Sequence, residues 1–152
     1  MSGQWKAKAI RETTVGIRVE KAAATLPATT YGALFTIAGG RVIIMAIVGE
    51  VKTICDATVT NLKLTATPTT GTAVDVATNV AIANKEVGTL FGVSAYGSAL
   101  VASNAGSTAI AQTPFVVPIG TLGLTTSATN TGAAKWVVCY VPLDDGASVV
   151  SA

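Results

Sequence analysis

The sequence feature that most constrains the fold is an apolar run, RVIIMAIVGE, at residues 41–50. Its length and its β-branched side chains predict a strand buried on both faces at the centre of a sheet. Periodicity alone does not separate such a strand from a buried helix. Gly39 and Gly40, just before the run, are typical of a turn, and residues 31–37 also have the composition of a strand. We therefore predict that these two strands form a hairpin.

Further strand candidates follow along the chain, separated by turns of Gly, Pro, Asn and Thr. They lie at residues 58–67, 72–83, 89–93, 98–101, 114–118, 120–127 and 134–141. The inward faces are predicted to carry Leu62, Leu64 and Ala66 in the first of these, and Val74 and Val76 in the second. In the last, Trp136, Val138 and Tyr140 share one face, and Val137, Cys139 and Val141 share the other. No segment predicts an amphipathic helix. The pattern predicts an all-β protein, an antiparallel β-sandwich of jelly-roll type.

The last two candidates predict a second hairpin, which turns at residues 129–132. Residues 62–71 and 122–132 resemble each other, since each reads as a strand, a Thr-rich turn and a Gly. Two interpretations are open: the segments are related hairpins in a sandwich, or Thr-rich hairpins simply look alike by composition.

The first 29 residues differ from the rest and are predicted to be an extended N-terminal arm, followed by a β-sandwich domain over residues 30–152. Half of the ten basic residues lie in the first 21 positions, where Trp5 is the lone aromatic side chain. Residues 13–20 alternate weakly and predict a short edge strand, and residues 21–30 predict a connector. The arm either reaches onto a neighbouring subunit or is a frayed terminus with a solvated charge cluster. In the first interpretation the partner contacts are Trp5, Lys6, Lys8, Arg11 and Arg18.

Composition favours a subunit whose surface is covered by neighbours over a solitary monomer. Only 12% of residues are charged, although half are apolar, and solubility of a monomer usually rests on interspersed charge. The net charge of +2 is too small to predict a nucleic-acid partner. Residues 33–51 are interrupted by Gly-Gly-Arg, so we predict no membrane span, and no signal peptide is expected at the N-terminus.

The sequence predicts no enzyme, cofactor or metal site. Histidine is absent, which removes the commonest general base and the commonest metal ligand. Cys55 and Cys139 lack CxxC spacing, and they are expected either as two buried free thiols or as one disulfide. Asp144 and Asp145 are adjacent and are typical of a solvated turn. Trp136 lies in a strand pattern, which favours core packing over stacking on a sugar.

Several segments resemble the small head decoration (cement) proteins of tailed bacteriophages. Near the C-terminus they are Gly132-Ala-Ala-Lys-Trp136 and Tyr140-Val-Pro-Leu-Asp-Asp-Gly-Ala147, and in the opening strands Pro27-Ala-Thr-Thr30, Leu34-Phe35 and Gly39-Gly-Arg-Val42. The likeness covers roughly residues 27–149, and its motifs are structural.

The resemblance implies a jelly-roll subunit that trimerises and binds the major capsid protein at junctions between capsomers. Such a protein is made in the host cytoplasm and resides on the outer surface of the virion. A tail or fibre structural protein and a carbohydrate-binding β-sandwich module are the alternative classes.

Overall fold

The computed structural model describes residues 6–104, 106–108 and 113–152. In this part of the chain a short helix, α1, precedes eleven strands. The helix is Ala7–Thr14, and the strands are β1 (Ile17–Thr25), β2 (Tyr31–Ala38), β3 (Val42–Thr53), β4 (Asn61–Pro68), β5 (Val74–Ala81), β6 (Leu90–Val93), β7 (Leu100–Ser103), β8 (Phe115–Val117), β9 (Gly120–Thr126), β10 (Ala133–Pro142) and β11 (Ser148–Ser151).

The strands form two antiparallel sheets that enclose one apolar core. The first sheet has the order β1-β10-β3-β6-β7, with β8 also paired to β3, and the second has the order β11-β2-β9-β4-β5. The predicted all-β antiparallel sandwich is confirmed. The apolar run forms most of β3, which lies at the centre of the first sheet, between β10 on one side and β6 and β8 on the other.

Both hairpins predicted around glycine-containing turns are wrong. β2 and β3 belong to different sheets, so Gly39 and Gly40 carry the chain across the sandwich, and residues 127–132 likewise connect β9 in the second sheet to β10 in the first. A turn signal marks a reversal of direction but does not say which sheet receives the returning strand. Of the two similar segments, only residues 62–71 belong to a hairpin, β4–β5, so the hypothesis of two related hairpins is also wrong.

The predicted inward faces are largely confirmed. The three side chains assigned inward in β4 are buried, and the face of β10 that carries Trp136, Val138 and Tyr140 is the one that lies in the core. In β5, Val76 is buried, whereas Val74, the first residue of the strand, is 45% exposed. The largest buried ring, Trp136, stacks on Phe91 with ring centroids 5.6 Å apart.

The N-terminal region differs from the prediction in two respects. The edge strand expected at residues 13–20 begins at Ile17 and continues to Thr25, with backbone pairing to β10 throughout apart from a bulge between Lys21 and Ala24. Residues 21–25, expected in a connector, are therefore part of a sheet, because main-chain hydrogen bonds do not require alternating side chains. Helix α1 was not expected, although the i,i+4 pair of Lys8 and Glu12 (3.7 Å between Nζ and Oε1) is a helix signal.

Candidate interaction surface

The outer face of the second sheet is polar. Asp75 accepts hydrogen bonds from Lys63 Nζ and Thr65 Oγ1, both at 3.0 Å, and the hydroxyls of Tyr31 and Thr121 lie 2.8 Å apart. This is the usual arrangement for an antiparallel sheet with one face in the core and the other in water.

The outer face of the first sheet is apolar over three successive rows of paired residues. The outer row joins Val141, Ile43 and Val116, and the middle row joins Cys139 and Ala46. The inner row continues across the sheet from Val137 through Val48 and Gly92 to Val101. Met45 is the extra residue of the bulge between β3 and β10. We call this surface the apolar band; its residues are Ile43, Ala46, Val48, Gly92, Val101, Val116, Val137, Cys139 and Val141.

Most side chains of the apolar band are only partly buried. Val116 is 51% exposed and Val141 37% exposed, whereas Ile43, Val48 and Val137 are half-buried. The expectation that residues 41–50 are buried on both faces is therefore wrong for the single chain. One face of β3 lies in the core and the other lies outside the two-layer sandwich.

Charged side chains of both signs border the apolar band. Along β1, Arg18 donates to Glu20, and Lys135 lies 3.5 Å from the same carboxylate. Lys52 pairs with Glu50 at 2.7 Å at the end of the sheet beyond Val48. The hydrogen bond from Arg18, with the charge of Lys135, lowers the pKa of Glu20 despite an opposing effect of burial. The border therefore carries compensated charges.

Of the predicted contact residues, Arg11 and Arg18 lie near one edge of the apolar band, and Trp5 lies outside the described residues. Lys6 occupies the N-cap of α1, and no residue of that helix is buried. Arg18 is paired with Cys139 across the β1–β10 ladder. Burial raises the pKa of the Cys139 thiol, while the charges of Arg18 and Arg11 oppose that rise. Arg11 and Arg18 thus lie on the same side of the molecule, next to the apolar band.

Two carboxylates, Asp56 and Asp144, hold the loops at opposite ends of the sandwich. Asp56 accepts hydrogen bonds from the backbone N–H of Thr131 (2.9 Å) and Thr58 (2.8 Å), which lower its pKa to about 2. Asp144 accepts from the backbone N–H and the guanidinium of Arg41 at 2.8–2.9 Å, and its pKa is also about 2. In the described ranges no group of three or more acidic or cysteine side chains could hold a metal ion.

Cavities and cysteines offer little chemistry. A cavity of about 190 Å³ lies beneath the β1 bulge and is lined by Leu34, Leu124 and Trp136 among others. Trp136 is 1% exposed, so its ring cannot stack on a sugar, and the prediction of core packing is confirmed. Cys55 is buried and Cys139 half-buried, and both are free thiols.

Sequence reasoning missed the apolar band as a site. Two signals were present: residues 41–50 are apolar on both sides of the strand, and the outward positions Val137, Cys139 and Val141 of β10 are also apolar.

No protein-family model, curated protein or solved structure matches the chain. Within the described ranges, no helix has both the length and the apolar character needed to span a membrane.

Proposed function

We propose that the protein is a capsid decoration (cement) protein of a tailed bacteriophage, which stabilises the head by bridging neighbouring capsid subunits. The observation that carries the proposal is the apolar band on one outer face of a sandwich whose other outer face is polar. A contiguous exposed apolar patch on a small protein is typical of an interaction surface. The resemblance of residues 27–149 to head decoration proteins indicates that the assembly is the phage head.

We further propose that the sandwich is a jelly roll. Support comes from the strand order, because β1, β3, β6 and β10 lie in one sheet, while β2, β4, β5 and β9 lie in the other. The chain thus passes repeatedly between the sheets, and strands distant in sequence become neighbours, as in two interleaved Greek keys.

The proposed mechanism is physical rather than chemical. A protein that binds the assembled shell, and not its free subunits, favours the shell by mass action. A homotrimer on the outer surface of the virion would contact the major capsid protein through three equivalent sites, so that weak individual contacts add up. In this proposal Lys6, Lys8, Arg11 and Arg18 pair with acidic positions on the shell, and Trp5 fills an apolar groove there.

The proposal is tested by co-sedimentation of the purified protein with mature empty heads of its phage. The full chain is expected to pellet with the heads and to raise the temperature at which they open. Deleting residues 1–16, which removes α1 but leaves β1, should weaken binding without changing the unfolding midpoint of the free protein. Failure of the full chain to bind the heads would refute the proposed function.

A further inference from the structure

We propose that the apolar band is covered by another copy of this chain, as the contact between subunits of the proposed trimer. The proposal deepens the proposed function, and it names the partner of this one surface.

The first argument is the mismatch between composition and burial along β3. Strands with apolar side chains on both faces are found where both faces of a sheet are covered. Here the core covers Ile44, Ile47 and Val51 completely, whereas Ile43 and Val48 face outwards and remain partly exposed. The chain itself supplies no third layer among its described residues, since α1 buries none of its own side chains.

The size of the apolar band fits the centre of an interface between folded subunits. Strands lie about 4.8 Å apart, and residues on one face recur about every 6.8 Å along a strand. The nine positions of the apolar band, in rows of three, two and four residues, therefore cover roughly 300 Å². A stable interface buries about 800 Å² on each partner, with a more apolar core and a polar rim. The apolar band corresponds to that core, and the charged border to the rim.

The charges at the border allow a second copy to approach. Arg11, Arg18, Glu20 and Lys135 lie on one side, and Glu50 and Lys52 on another, so both signs are present. A surface of one sign would repel its own copy and would instead suit a partner of opposite charge. The compensated border favours self-association over an oppositely charged partner.

Two valine substitutions form a matched pair for the test. Val116 in β8 and Val150 in β11 both point outwards from strands with one pairing partner, and they are 51% and 53% exposed. Val116 lies in the apolar band and Val150 on the opposite face of the sandwich. In a single chain, Val116→Glu and Val150→Glu should be equally harmless, so any difference between them reports on a contact between copies.

The mass in solution is measured by light scattering over a range of concentrations, with thermal unfolding of each variant as the check on folding. The wild type and Val150→Glu are expected to have three times the chain mass, and Val116→Glu the mass of one chain. A monomeric wild type, or equal behaviour of the two folded variants, would overturn the proposal.

Cys139 provides a second readout that needs no substitution, because it is the half-buried thiol of the apolar band and Cys55 is buried. Reaction of the wild type with Ellman's reagent should be about tenfold slower at a concentration far above the dissociation constant than after dilution below it. A rate independent of concentration would contradict the proposal.

These measurements use the free protein and no heads, so they fail independently of the proposed function. Head binding by a monomeric wild type would refute the inference and leave the decoration role intact. A trimer that does not bind heads would refute the decoration role and leave the inference intact.

Discussion

Substitution of Gly49 provides the most direct test of how the core is packed. The residue is paired with Trp136 across the β3–β10 ladder, and a Cβ atom at this position would lie 2.8–2.9 Å from three carbons of the indole six-membered ring. The ring cannot swing away freely, because it is 1% exposed and stacks on the fully buried Phe91. Gly49→Ala therefore forces either the ring or the strand to move.

The magnitude follows from two opposing effects. Alanine in a strand is favoured over glycine by about 0.5–1 kcal/mol, since glycine loses more backbone entropy on folding. Extra volume in a well-packed core costs about 1–3 kcal/mol. We expect a net loss of about 1–2 kcal/mol in the free energy of unfolding, which corresponds to a urea midpoint lower by roughly 0.5–1 M.

A double-mutant cycle with Trp136→Phe provides the control. The smaller ring removes much of the clash, so in that background Gly49→Ala should be neutral or stabilise by up to about 0.5 kcal/mol, which gives a coupling energy of about 1–2 kcal/mol. Urea unfolding is followed by circular dichroism at one protein concentration, because self-association would otherwise shift the midpoint. Equal effects of Gly49→Ala in both backgrounds would refute the steric explanation.

Two further predictions concern the loops. Asp56 and Asp144 have folded-state pKa values of about 2, below their usual value, so their contribution to stability is present in full above about pH 5 and is lost as the pH falls through 2. Asp56→Asn should make the decline of the urea midpoint between pH 5 and pH 2 shallower, and an unchanged slope would count against this role of Asp56. At Gly132 a Cβ would lie 2.6 Å from the Sγ of Cys55, so Gly132→Ala should cost about 1–3 kcal/mol in urea unfolding. Cys55→Ala should recover part of that loss, and the absence of any recovery would contradict the assigned contact.

The sequence was sufficient to predict which side chains face the core but not which strands are neighbours. Alternation places Leu62, Leu64 and Trp136 inwards whatever strand lies beside them. Pairing depends on contacts between residues far apart in the chain, and the turn at Gly39 gives the same signal in a hairpin as in a crossing between sheets. Helix α1 was not predicted either, since one i,i+4 pair in eight residues is too weak a signal for a helix.

The candidate site was predicted only in part. The basic residues Arg11 and Arg18 stand out by composition, and the structure places them beside the apolar band. The band itself is assembled from β3, β6, β7, β8 and β10, and its extent depends on their register. An apolar residue such as Val48 looks the same in the sequence whether its face is covered by its own chain or by another one.

The pairing of β1 with β10 has a consequence for how the protein is made. Ile17 pairs with Tyr140, so the two residues are separated by 140 − 17 = 123 positions. At a synthesis rate of about 5–20 residues per second, β1 waits roughly 6–25 s before its partner strand leaves the ribosome. Its edge has no partner during that time, and the apolar run of β3 has also been made without β10. The lysines and arginines spread through residues 6–21 oppose the stacking of nascent chains on one another, and they do so before any capsid or neighbouring subunit is present.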